Sequence, residues 1–359
     1  MNKHGRAFLL VAAGLLCGLT LAAGASGTTA KHASRLRHVQ GRIEALAMDG
    51  SRIAYDAATS GGNRVLVWDT RSGRTTTVSG RQTRGADDSS TGSGVYGLAI
   101  AGSRVAWLVN VGGNIEGDDY LFASSTTHPK ERKVASETRS GDTCSGGPPA
   151  VNPQCSGKWL LSLVGSGSVI ALDRYTTGQP PNPAPSASLL VLDKNVEAIA
   201  SGTAPFQPLA VDSGRIAVLH GLAGISLYTP GGKVLQTVPT AGVQAAALSG
   251  RNLVVLTTHR TLELFSTTTR SLRRTFETRG TKAPRNLGVE GDVAIYTTGS
   301  AVHAVDLSSG KDRVVAEHRG GPLLADIDRT GLVYGGNGYG NAKATLLFVP
   351  LARVTAAVG

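Results

Sequence analysis

The sequence predicts an all-β chain folded as a single β-propeller of seven blades, each of four antiparallel strands. Three observations lead there. One hairpin phrase recurs, as "RVLVWDTRSGRTTTV" from Arg64, "ISLYTPGGKVLQTV" from Ile225 and "VHAVDLSSGKDRVV" from Val302. Tight glycine turns recur with it, and Gly214, Gly250, Gly291 and Gly331 follow one another at 36, 41 and 40 residues, near the ~40–50 residues of a propeller blade. The composition agrees: 47 glycines stand against 6 Phe, 8 Tyr and 3 Trp, which suits many turns and poorly suits long helices, where Gly costs about 1 kcal/mol relative to Ala.

The first residues form a separate element. Lys3 and Arg6 precede an apolar run from Ala7 to Gly24, and small residues follow at Ala23–Ala25. A charged head, an apolar core and a small-residue exit are the parts of an export signal. Residues 1–25 are therefore expected to be a signal peptide, with a retained anchor as the alternative, since the run is at the lower limit for spanning a bilayer. Cys17 follows "GLL", which lacks the small residue that precedes a lipidated cysteine. The mature chain is expected to be extracellular, periplasmic or attached to the cell envelope, with no membrane span. Residues 26–42 are an N-terminal segment and 43–359 the propeller.

The propeller units follow in order: Glu44–Val78, Tyr96–Ala135, an irregular third from Trp159 to Ala200, Gln207–Val238, Val243–Phe276, Arg285–Val315 and Gly321–Ala357. In "RIAVLHG" and "NLVVLTT" nearly every residue is apolar or β-branched, as in strands covered on both faces. One four-stranded sheet cannot bury both faces, whereas radial stacking lets each cover the next and leaves only short protected edges. The irregular third unit keeps six or eight blades open. Either "RLRHVQG" from Arg35 or "RVTAAV" from Arg353 can serve as the ring-closing outer strand.

The units resemble bacterial secreted propellers of the TolB-like and WD40-like repeat classes. The likeness lies in the turns "VWDTRSG" and "VDLSSGK" and spans residues 43–358. Only Trp68-Asp69 supplies the literal Trp-Asp pair, the Gly-His element of WD40 blades does not recur, and the Asp-Pro pair of TolB repeats is missing. The resemblance implies architecture, and function only by analogy.

With the strands of a blade lettered a to d from the axis outward, the a–b and c–d turns share one face. They are short and uniform: "DGSR", "AGSR", "TRSGR", "PGGK". The other face receives every long insertion, from Arg81, from Asn110, from Glu137 to Gly157, from Arg174 and from Gly335. Long loops on a rigid scaffold are where function usually rides. The expected binding surface is therefore Asp87, Asp88, Asn114, Glu116, Asp118, Asp119, Tyr120, Arg174, Tyr175 and Tyr339 on the loop-rich face. "NIEGDD" from Asn114 gathers oxygen ligands that a calcium ion accepts, but without the spacing of a calcium-binding loop, so a solvated acidic loop is the preferred reading and no cofactor is assigned. Cys144 and Cys155 sit in one Gly/Pro-rich loop, and in an oxidising compartment they are expected to form a disulfide.

The chain carries a formal charge of +11, and removing Lys3 and Arg6 leaves +9. The basic residues are scattered, with patches at Arg270–Arg274 and Lys31–His38, and lack the aromatic interleaving of a single-strand nucleic-acid binder. A nucleic-acid role is excluded; an anionic protein, glycan or envelope partner is favoured. There is no nucleophile elbow, HExxH motif or phosphate loop, and His220 and His259 lack a third ligand repeating with them. Asp49, Asp212 and Asp306, beside turns, are expected to bond local backbone N–H groups. The functional expectation is a monomeric, non-catalytic exported binding or scaffold protein. The alternative is a propeller enzyme, a lyase, hydrolase or quinone-type dehydrogenase, with its site at the central mouth.

Overall fold

The computed structural model describes residues 34–59, 62–80, 92–112, 116–140, 156–177, 185–221, 224–320, 323–338 and 343–359. These contain 28 strands and one helix. Strand β1 (Arg35–Val39) belongs to the last sheet. The first four-stranded sheet is β2 (Leu46–Asp49), β3 (Arg52–Thr59), β4 (Gly62–Asp69) and β5 (Thr75–Thr77). An eight-stranded sheet follows. It holds β6 (Gly92–Ala101), β7 (Arg104–Gly112), β8 (Glu116–Ser125), β9 (Arg132–Ser140), β10 (Ser156–Ser166), β11 (Val169–Thr177), β12 (Ser186–Leu192) and β13 (Val196–Gly202). Next come β14 (Phe206–Asp212), β15 (Arg215–His220), β16 (Ile225–Tyr228) and β17 (Val234–Val238), then β18 (Val243–Ser249), β19 (Asn252–Thr257), β20 (Thr261–Ser266) and β21 (Leu272–Glu277). A further sheet is β22 (Pro284–Glu290), β23 (Val293–Thr298), β24 (Ala301–Asp306) and β25 (Asp312–Glu317). The last is β26 (Leu323–Asp328), β27 (Gly331–Gly336), β28 (Ala344–Pro350) and β1, which runs antiparallel to β28 with Arg35 opposite Phe348.

Around one axis the strands β2, β6, β10, β14, β18, β22 and β26 adjoin one another in that order, and β26 returns to β2. Adjacent sheets bury each other's faces. Trp107 and Ile100 pack with Val65 and Val67 of the preceding sheet. Val254 and Leu264 pack with Tyr296 and Val305 of the following one. The fold is an all-β propeller.

Its blade number corrects the expectation of seven, six or eight. The discrete four-stranded blades are five, and the remaining eight strands form one continuous sheet. The reason is local. At the loop-rich end, Ser156 of β10 pairs with Ser140 of β9, and Gly157 pairs with Arg139. These few backbone bonds join two groups of strands that sequence repeats set apart. Gly157 has φ +138°, and a Cβ there would stand 2.5 Å from the Cα of Arg139, so only glycine allows the approach.

The expected Cys144–Cys155 disulfide is likewise corrected. Among the described residues no cysteine pair stands at disulfide distance; Cys144 and Cys155 themselves lie outside those described. The β9–β10 pairing joins Ser140 and Ser156, the described residues on either side of that segment. "RVTAAV" is not a strand: Leu351–Val358 is an α-helix, α1, with Val354 and Val358 buried one turn apart. Its Leu, Ala and Arg residues favour helix, and the i, i+4 valines give it one apolar face against the last blades.

The short turn face holds the ring together. Asp49 accepts a hydrogen bond from the N–H of Gly102, while Arg52 donates to the carbonyl of the same glycine (3.0 Å). Asp212 and Arg215 grip Gly250 in this way. Ser249 and Asn252 grip Gly291 at 3.0 and 2.8 Å. Asp328 and Thr330 grip Gly50. Four of the turns thus bind both backbone groups of the next turn along. This corrects the local role expected for Asp49 and Asp212. Asp306, on a c–d turn, does bond its own turn through the N–H groups of Ser308 and Ser309, and these bonds, with the serine hydroxyls, lower its pKa to about 2. Replacing Asp212 with Ala is expected to cost about 1–2 kcal/mol, read as a lower urea midpoint at unchanged slope; an unchanged midpoint would remove the clamp from the account of ring stability.

Candidate functional site

The inner strands do not run straight to the loop-rich face. Register shifts fall between Val95 and Gly97 in β6, Leu160 and Leu163 in β10, Pro208 and Ala210 in β14, Val243 and Ala245 in β18, and Arg285 and Gly288 in β22. A bulge leaves backbone N–H groups without ladder partners and re-aims the extra side chain. A buried acid takes up such a group at the β10 bulge, and another binds two backbone N–H groups just ahead of β2. Asp56 in β3 accepts from the N–H groups of Glu44 and Ala45, each at 2.7 Å. Asp173 in β11, opposite the β10 bulge, accepts from Ser162 N–H at 2.7 Å. Both side chains are buried, and each keeps an Oδ2 that accepts no hydrogen bond among the described residues. Burial, only partly offset by the backbone donors, raises Asp56 to about 6 and Asp173 to about 7.

The bulge of β6 leaves Tyr96 as its extra residue. Tyr96 is 42% exposed, while its hydroxyl reaches inward and donates to the buried Leu160 carbonyl at 2.5 Å. Burial of that hydroxyl raises the Tyr96 pKa, as do the nearby Asp119 and Asp173 carboxylates, while Arg139 opposes them. Asp119 is 2% exposed. It accepts from Arg139 Nη1 at 2.8 Å, from Asn110 Nδ2 at 2.9 Å and from Leu160 N–H at 3.3 Å. Arg139 lies against Gly117, where a Cβ would stand 2.7 Å from its guanidinium. A second ion pair, Arg174 Nε to Glu137 Oε1 at 2.6 Å, lies on the same strands. Tyr96, Asp119, Arg139 and Asp173 thus form one polar cluster on β6, β8, β9 and β11.

The expected site residues divide around this cluster. Asp119 and Arg174 are members of its ion pairs. Asp118 and Tyr120, on the other side of β8, bond each other at 2.9 Å, and Lys133 stands 4.9 Å from the Tyr120 ring centre. Tyr175 is core, packed with Phe206 and Val218. Glu116 is the first residue of β8. Asp87, Asp88, Asn114 and Tyr339 lie outside the described residues. Tyr96, Glu137, Arg139 and Asp173 escaped sequence reading because each sits singly in an ordinary strand pattern. The one available signal was "QCSGKW" after the insertion, whose Gly157 marks a close approach.

Two other regions gather polar groups. A central channel of ≈ 260 Å³ is lined mostly by small and apolar residues such as Ala47, Leu98, Val164 and Ala247. Its acidic end includes Asp326, which accepts from Met48 N–H at 2.8 Å and is raised to about 7, first by burial and then by neighbouring carboxylates. No three His, Cys, Asp or Glu residues are placed to hold a metal ion among the described residues. Elsewhere His303 joins Thr298 Oγ1 (2.9 Å) to Asp312 Oδ1 (3.0 Å), and Tyr296 donates to Asp312 at 2.5 Å. The order is that of a catalytic triad, but all four side chains are buried, so the network ties β23, β24 and β25 together. His220 is stacked on Phe206, ring centres 4.2 Å apart.

Comparison with solved structures agrees with this architecture. An oligogalacturonate lyase in complex with manganese superposes with a TM-score of 0.54 at 11% identity, over 89% of this chain and 92% of that one. The chain is a β-propeller. A computationally designed protein, Ika8, matches 87% of this chain and 98% of its own, with a TM-score of 0.49 at 11% identity. No known family and no curated protein matches the sequence. The resemblance to TolB-like and WD40-like repeats therefore narrows to the fold they share. Among the described residues, no helix is long and apolar enough to cross a membrane.

Proposed function

We propose that this propeller is an exported enzyme that acts on an oligosaccharide at the loop-rich ends of β6 and β8–β11. One observation carries the reading: Tyr96, Asp119, Arg139 and Asp173 converge there, and Asp173 has a pKa of about 7. A carboxyl that changes charge near neutrality is suited to proton transfer. Tyr96, exposed beside this cluster, offers an apolar ring face that suits a sugar ring. In this reading Tyr96 is the proton donor to the leaving oxygen. Its raised pKa keeps the hydroxyl protonated, and the hydroxyl exchanges the Leu160 carbonyl for the substrate on binding, while Asp119, Arg139 and Asp173 position it and set its proton affinity. The reaction class is elimination or hydrolysis of a glycosidic bond, and the likeness to a lyase propeller supports elimination at the level of fold.

The test is a panel of neutral and uronic-acid oligosaccharides, read for new reducing ends and for the ultraviolet absorbance of an unsaturated product. Wild-type protein is expected to cleave one class. Tyr96→Phe is expected to lower kcat about 100-fold or more, with little change in KM. Equal kcat in Tyr96→Phe would overturn the role of Tyr96. A second reading has its own support: the Asp119–Arg139 and Glu137–Arg174 pairs are mutually satisfied, as in a surface that binds without reacting. Saturable sugar binding with no cleavage of any panel member would establish that reading instead.

A further inference from the structure

On the opposite face, we propose a site for a tetrahedral dianion, the phosphate group of a phosphomonoester, between the blades β18–β21 and β22–β25. Arg251 from the β18–β19 turn and Arg273 and Arg274 from β21 line one cavity of ≈ 350 Å³. Consecutive strand residues normally point to opposite faces. Here Leu264 pairs with Arg274 and Phe265 with Leu272, which leaves Arg273 as a bulged residue. The bulge lets both arginines line the same cavity. Outer strands β9, β13, β17 and β25 carry comparable bulges, and their extra residues are Val134, Ile199, Leu235 and Val315. Only β21 places a charge at this position.

The three guanidiniums make no ion pair among the described residues. Arg274 donates to the Ser308 carbonyl and Arg273 to Asn252 Oδ1 at 3.4 Å, contacts that orient them and leave their charge uncompensated. The single acid lining the cavity, Asp292, accepts from Asn252 at 3.1 Å. Three positive charges against one negative call for a ligand of about two charges. A phosphoryl group brings about that charge and three acceptor oxygens, and guanidinium forks match it; a lone carboxylate brings one charge. The buried Leu264 and Leu307 form an apolar wall, and the cavity has room for the organic part of an ester.

The probes are inorganic phosphate, inorganic sulfate and phenyl phosphate, titrated calorimetrically into the purified protein at fixed ionic strength, with chloride as the blank. Saturable binding is expected, tightest for phenyl phosphate if the apolar wall is used. A free inorganic ion as the true ligand would instead show phosphate or sulfate binding as tightly as the ester. Arg273→Gln and Arg274→Gln are each expected to weaken binding about tenfold. Arg313→Gln, on the exposed face of β25 outside the cavity, is expected to leave it unchanged. Both site arginines are exposed, so unfolding midpoints equal to wild type will show that the variants fold. Absence of saturation with all three probes, or equal weakening by Arg313→Gln, would overturn the proposal.

Discussion

Arg139→Ala is expected to lower stability by about 3–5 kcal/mol, because it leaves Asp119 buried without its countercharge. The pair is enclosed, with side-chain exposures of 11% and 3%, and its N–O distance is 2.8 Å. What remains for Asp119 is Asn110 and one long backbone bond, too little to hold a carboxylate away from water. Arg139 also sits at the β9–β10 junction, opposite Gly157. The loss is therefore expected to appear first in slowed-exchange amides of Arg139, Ser140 and Gly157, which should open before the rest of the sheet. Chemical denaturation gives the magnitude and hydrogen exchange the location. A loss below about 1 kcal/mol, typical of an exposed pair, would mean that Asp119 is solvated.

Stability is also expected to rise as pH falls from 8 to 5, the reverse of ordinary acid weakening. Asp56, Asp173 and Asp326 are raised from 3.8 to about 6, about 7 and about 7. The folded protein therefore binds more protons than the unfolded chain between these values. Their contribution is complete below about pH 4 and is lost as pH rises through 6 to 7. Each is worth on the order of 3 kcal/mol across its window. His318 is lowered by burial and works in the other direction below its ordinary value, one group against five, since burial raises Glu290 and Asp328 as well. Asp306, held near 2, takes over only below about pH 4. A melting temperature several degrees higher at pH 5 than at pH 8 is expected, with roughly a third of the slope gone in Asp173→Asn. A melt that falls between pH 8 and pH 5 would show these carboxyls to be charged and hydrated in the fold.

Much of the architecture was legible because it is written in local grammar. Glycine turns and β-branched runs mark strands one by one, and the repeat spacing implies a ring. The number of separate blades was not legible. It depends on whether the ends of β9 and β10 touch, and two backbone pairings beside a long insertion leave no periodic trace. The turn phrase "DGSR" was visible but read as local chemistry. Its acid and its arginine, three residues apart, reach the same glycine one turn further round, a fact that only the ring geometry supplies. The loop-rich face led to Asp119 and Arg174. It did not lead to Tyr96, which becomes polar-facing only through a bulge, nor to Asp173, which reads as a lone acid in an apolar strand.

The pairing of β1 with β28 has a kinetic consequence. Among the described strands, the first to be synthesised is the last to find its partner, across more than three hundred residues. Contacts this distant in sequence slow folding, since the chain loses entropy before they reward it. Until β28 is available, β1 has an unpaired edge, and so does its waiting sheet; such edges recruit strands from other molecules. Refolding yield should therefore fall with protein concentration more steeply than for a chain whose sheets each close within their own segment. A short peptide copying Arg35–Val39 should compete for that edge.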